Sequence, residues 1–239
     1  MPPFKIPLRH LKRLWLRSDC SPSDLSQTLA QYIGDCVRRR GWSRGGLELG
    51  AYGTHLDIRV GDGYERDNST KVAWFVGVSA FIRGAPKTEE TEELCLGLAA
   101  HIPREEVIDL RVNFPIPHSS GPCGEMHNLT DLRLYFVGLS KWFVEPDDRG
   151  SRELPCGLDY ITVYETDFSA DDWSPLMNFL SRRAAVGRRV SSLRLNCCHS
   201  LLRIDAVPQE VVETLKRMVG VLGIRDTLSN GFRIAQRGP

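Results

Sequence analysis

Apolar residues recur along this chain in one order, with a gap of two and then a gap of one. The pattern reads Leu11, Leu14, Leu16, and returns as Val107, Leu110, Val112. It appears again as Leu129, Leu132, Leu134, as Leu158, Ile161, Val163, and as Val190, Leu193, Leu195. A shorter copy, Leu47 and Leu49, lacks the first apolar residue. In a strand, side chains two apart share a face. Each copy therefore predicts a short strand with its last two apolar residues on the core side and polar residues between and around them. Leu14 and Leu16 point inward, and Arg13, Trp15 and Arg17 point outward.

The spacing of the copies predicts how these strands assemble. Centred on residues 14, 47, 110, 132, 161 and 193, they lie 33, 63, 22, 29 and 32 residues apart. All steps but one fall near the roughly 20–29 residues of a leucine-rich repeat, stretched at the long end. A single such unit cannot bury its apolar face alone, and stacking several creates a parallel sheet with a continuous core. The last copy runs on to Cys198 and Leu201, which fit the closing positions of the repeat pattern.

Helical segments fill the gaps. Residues 21–40 carry Leu25, Leu29, Ile33 and Val37 as an i, i+4 stripe, with Arg38, Arg39 and Arg40 before Gly41. Residues 87–101 start acidic and carry Leu94, Leu98 and Ile102. Residues 171–186 turn Trp173, Leu176, Phe179 and Leu180 inward, and residues 208–221 do the same with Val211, Val212, Leu215 and Val219. The long step of 63 residues holds an alternating run, Leu56, Ile58, Val60, a turn-rich stretch, then Val72, Trp74, Val76, Val78. That predicts a β-hairpin over about 53–80. It reads as an insertion between the second and third repeats, or alternatively as a degenerate repeat. Loops over 114–127 and 141–155 read as irregular connections. The predicted fold is thus an α/β leucine-rich-repeat solenoid, a single domain over 1–226 with parallel strands inside and helices outside. A tail over 227–239 is expected to fray.

Composition changes this picture little. The 239 residues are 41% hydrophobic and 26% charged, which excludes disorder over the whole length. Thirty-one basic and 30 acidic side chains give a net charge of +1, unlike a dedicated nucleic-acid binder. The N-terminus has no apolar signal core, and no run of about 18 apolar residues occurs. Seven irregularly spaced cysteines without a CxxC fit a reducing compartment. The expectation is an intracellular protein, cytoplasmic or nuclear, with neither membrane nor nucleic acid as partner.

The sharpest chemical cluster is Cys197-Cys198-His199. Zinc sites normally bring two separated ligand pairs, and no second pair lies at such a spacing. Cys198 and His199 face opposite ways in a strand, so they do not make a nucleophile–base pair. Gly41-Trp-Ser-Arg-Gly-Gly46 matches neither phosphate-binding loop pattern. Asp147-Asp148 and Asp171-Asp172 read as a loop pair and a helix N-terminal pair, and His118 as loop surface. The expectation is no enzyme, no cofactor and no metal.

The run ITVYETDFSADDWSPLMNFLSRRAAVGRRVSSLRL, Ile161 to Leu195, and the helix QEVVETLKRMVGVLG, Gln209 to Gly223, carry a resemblance. So does the front segment LKRLWLRSDCSPSDLSQTLAQYIGDCVRRRGWSRGGLELGAY. They resemble the leucine-rich-repeat region of the F-box-type proteins expanded in mushroom-forming fungi. The resemblance covers most of the chain. It implies the substrate-binding part of a ubiquitin-ligase adaptor. The F-box module that such proteins place first has no counterpart ahead of Leu8, so a ligase adaptor subunit is an expected partner only if an F-box lies upstream.

In register, the outward residues form three ladders about 4.8 Å from strand to strand. The middle one is Trp15, Glu48, Arg111, Arg133, Thr162, Arg194. The one before it is Arg13, Gly46, Asp109, Asp131, Tyr160, Ser192, and the one after is Arg17, Gly50, Asn113, Tyr135, Tyr164, Asn196. Arginine, tyrosine and tryptophan are enriched in binding hot spots. The expected partner-binding residues are Arg13, Trp15, Arg17, Arg111, Arg133, Tyr135, Tyr160, Tyr164 and Arg194, facing an unidentified protein ligand. The competing expectation is a neutral, solvated face in which Asp109 and Asp131 pair with the arginines.

Overall fold

The computed structural model describes residues 14–18, 22–52, 55–62, 73–82, 88–114, 126–135, 142–143, 157–164, 170–196, 209–225 and 233–235. The chain is α/β, with ten strands and four helices among the described residues. It divides into two compact units, Met1–Val107 and Ile108–Pro239.

The first unit holds β1 (Leu14–Ser18), α1 (Pro22–Arg40), β2 (Gly45–Tyr52), β3 (His55–Asp62), β4 (Ala73–Ile82) and α2 (Thr88–Ala99). Strands β2, β3 and β4 form an antiparallel meander, and β1 lies parallel on the outer side of β4. Only two residues separate β2 from β3. A link that short can only turn the chain back on itself, whereas a parallel return needs a dozen residues or more. Leu47 and Leu49 are buried as expected, beside Leu56, Ile58, Val60 and Val78. Helix α1 packs on β4 and α2, and α2 packs on β2 and β3. Leu29, Ile33 and Val37 form the buried stripe of α1. Cys95 of α2 is fully buried with its Sγ toward the Gly50 carbonyl, and burial pushes its thiol far up. It serves as a small apolar side chain.

The second unit is built on β5 (Val107–Val112), β6 (Asp131–Tyr135), β7 (Tyr160–Tyr164), α3 (Ala170–Ala185), β8 (Val190–Asn196), α4 (Gln209–Met218), β9 (Val219–Arg225) and β10 (Arg233–Ala235). Strands β5 to β9 are parallel and in sequence order. Leu110, Leu132, Ile161, Leu193 and Leu222 stand side by side in register, as do Val112, Leu134, Val163, Leu195 and Ile224. The first row is at most 1% exposed, so the apolar repeat makes one unbroken core ridge. Trp173, Leu176, Phe179 and Leu180 bury the inner stripe of α3, and Phe143 packs against Phe179 at 5.1 Å.

The segment 53–80 supplies the two expected strands, β3 and β4, which lie within the sheet between β1 and β2. Two expectations are corrected. The last helix stops at Met218, and Val219 starts a strand, since Gly220 and Gly223 are poor helix formers. The tail past Thr227 contributes β10, paired antiparallel to β9.

Candidate functional site

The polar ladders of the second unit form as the repeat spacing predicts. Asp109, Asp131, Tyr160 and Ser192 are in register across β5 to β8, followed by Val221 on β9. Arg111, Arg133, Thr162 and Arg194 make the next row, closed by Gly223. Tyr135, Tyr164, Asn196 and Arg225 make the third. All lie on the face opposite the leucine ridge, because the strand period is two.

The first unit contributes no such row. Trp15 pairs with Ser79 of β4 and Arg17 with Phe81, so neither stands beside a residue of β2. Glu48 faces Arg59 of the antiparallel β3. The expected ladder from Trp15 to Glu48 is therefore broken by the two intervening strands. Arg13 lies outside the described residues, as do His118, the Asp147-Asp148 pair and the Cys197-Cys198-His199 cluster. Asp171 and Asp172 lie in the first turn of α3. Among the described residues no group of three His, Cys, Asp or Glu side chains is placed to hold a metal ion.

The charges on the ladder face are not laid out in solvent. Asp109 is fully buried and Asp131 nearly so, while the Arg111 and Arg133 side chains are only 12% and 13% exposed. The Asp109 carboxylate accepts from Arg111 Nη2 at 3.2 Å on its own strand and meets Arg133 Nη2 at 3.5 Å on the next. The diagonal Asp109–Arg133 contact is one the sequence allowed, but it lies on a largely buried face and not on the solvated one expected. Asp131 accepts a hydrogen bond from Thr130 Oγ1 at 2.8 Å. Asp109 Oδ1 and Ser192 Oγ are buried with no hydrogen-bond partner among the described residues. Each such atom costs roughly 1–3 kcal/mol.

In the third row Tyr135 and Tyr164 are half-buried, Asn196 is buried and Arg225 is exposed. Tyr135 and Tyr164 stack with ring centroids 4.5 Å apart and planes 4° from parallel. Tyr160, Thr162 and Arg194 are half-buried as well. Strands β7, β8 and β9 contain two arginines and no carboxylate. Arg111 and Arg133 are thus tied to the buried Asp109, while Tyr135, Tyr160, Tyr164 and Arg194, equally half-buried, have no carboxylate on their own strands apart from Asp131 of β6.

The sequence reading missed Arg225 because it missed β9. The signal was present: Val219, Leu222 and Ile224 repeat the gap of two and the gap of one, 29 residues after Leu193. A helical stripe through Leu215 and Val219 masked it. Comparison with protein-family models, curated protein sequences and solved structures finds no match to the chain. No helix among the described residues is long and apolar enough to cross a membrane.

Proposed function

We propose that the second unit is a leucine-rich-repeat solenoid that recognises another protein through the carboxyl-end half of its polar face. The observation that supports this reading most is the in-register row of Tyr135, Tyr164, Asn196 and Arg225, with Arg194 beside it. Rigid aromatic rings give large contact area at low conformational cost, and arginine adds directional hydrogen bonds. A surface with two arginines and no carboxylate on β7 to β9 suits an acidic or mixed-charge segment. Within this reading the protein is the substrate-binding part of an F-box-like ubiquitin-ligase adaptor, in line with the residues that resemble that family.

A second reading, a repeat protein with no specific ligand, draws on a different observation. Asp109 already pairs with both Arg111 and Arg133 from within the sheet. The two readings part on a variant that spares this cluster. With a proximity-labelling enzyme fused to the chain, Tyr164→Ala/Arg194→Ala should lose labelled proteins that the wild type marks, with its melting temperature kept within a few degrees. A ligase adaptor subunit among the lost or retained labels would then decide the ubiquitin assignment. Identical label sets from two folded proteins would favour the ligand-free reading.

A further inference from the structure

Helices α1 and α3 end in the same hydrogen-bonded turn. In α1, Gly41 N–H donates to Arg38 O at 3.2 Å and Trp42 N–H to Val37 O at 3.4 Å, with Gly41 at φ +61°. In α3, Gly187 N–H donates to Ala184 O at 3.0 Å and Arg188 N–H to Arg183 O at 2.8 Å, with Gly187 at φ +72°. This is the Schellman arrangement, which usually joins two apolar side chains across the turn. In α1 those positions are Val37 and Trp42, both buried. In α3 they are Arg183 and Arg188.

The basic residues differ in the same way. At the end of α1, Arg38 pairs with Asp35 at 2.6 Å and Arg40 with Asp62 at 2.9 Å. At the end of α3, Arg183 is spent on structure, donating to Arg188 O at 3.0 Å and Leu158 O at 2.7 Å. Arg182, Arg188 and Arg189 have no carboxylate partner among the described residues. Val186, at the apex, is 69% exposed, the one large apolar side chain so exposed among the described residues. The register pair Val190–Val219 puts Arg217, in the last turn of α4, on the same edge of the sheet. Glu213, one helical turn before Arg217, holds Lys216 at 2.8 Å.

We infer that the α3–β8 turn is a docking point for an anionic bilayer surface. An exposed valine followed two and three residues on by the exposed Arg188 and Arg189 suits the headgroup boundary, where the valine enters and the guanidinium groups meet lipid phosphates. The turn is held by two backbone hydrogen bonds, so little freedom is lost on docking. Single-stranded nucleic acid is the poorer fit, since it is gripped by aromatic platforms and this turn has none.

The test is co-sedimentation of the full chain with vesicles of phosphatidylcholine alone or mixed with phosphatidylserine. The expected result is binding to the mixed vesicles only, weakening as salt rises. Arg188→Ser/Arg189→Ser should cut partitioning about thirtyfold, and Val186→Asn several-fold with the salt dependence retained. Both variants change exposed side chains, so circular dichroism should match the wild type. Equal binding to both vesicles, no binding to either, or undiminished binding by the arginine variant would overturn the inference. So would capture of single-stranded RNA through the same arginines without vesicle binding.

Discussion

The two units use the same strand motif and reach different sheets. In the second unit, copies separated by crossover connections stack parallel, and every position of the repeat meets its equivalent on the neighbouring strand. In the first unit, the Leu47–Leu49 copy runs antiparallel to β3, and the Leu14–Leu16 copy pairs with β4. The motif determines which face a residue takes, because that depends only on the period of two. It carries no information about the neighbour, which the length of the connection decides. The consequence is electrostatic. The first unit sets Arg59, 37% exposed, between Glu48 at 3.3 Å and Asp57 at 2.7 Å. The second buries Asp109 completely between two arginines.

That contrast yields its largest test at Asp109. Asp109→Ala leaves two largely buried guanidinium groups without their shared carboxylate, and should cost about 3–5 kcal/mol in denaturant unfolding. Leu193→Ala removes the middle of the apolar ridge and should cost about 2–5 kcal/mol. Arg59→Ala removes a 37% exposed guanidinium but leaves the buried Asp57 with Ser79, and should cost about 1–3 kcal/mol. If Arg59→Ala proved as damaging as Asp109→Ala, the distinction between the two clusters would collapse.

A pH-dependent effect lies in α1. Tyr32 is buried one helical turn from Cys36, and its hydroxyl is pushed up to about 12, first by burial and then by Cys36. The phenol is thus still protonated in the folded protein where an unfolded tyrosine, at 10, has ionised. Stability should fall as pH rises from 10 towards 12, and Tyr32→Phe should flatten that part of the pH profile.

Much of this was legible before any coordinates. The five full copies each formed a strand, the polar rows of β5 to β8 took the predicted register, and helix stripes such as Leu29, Ile33 and Val37 are buried. Two things were not. The sheet order of the first unit turns on a two-residue link after Tyr52, a local feature that a repeat period overlooks. Strand β9 was hidden because Val219 both ends the helical stripe through Val212 and Leu215 and opens the strand pattern with Leu222 and Ile224, and only Gly220 and Gly223 break the tie. The low exposure of Arg111 and Arg133 was also beyond reach, since periodicity assigns a side and says nothing of how far it is buried.

Recognition through the carboxyl-end half of the polar face is tested most directly by site-specific photo-crosslinking in cells. A benzophenone amino acid replaces Tyr164 in one protein and Ser181, on the exposed side of α3, in another. The account predicts a discrete crosslinked protein from position 164 that position 181 does not give. The same products from both positions, or none from position 164 in a folded protein, would contradict it.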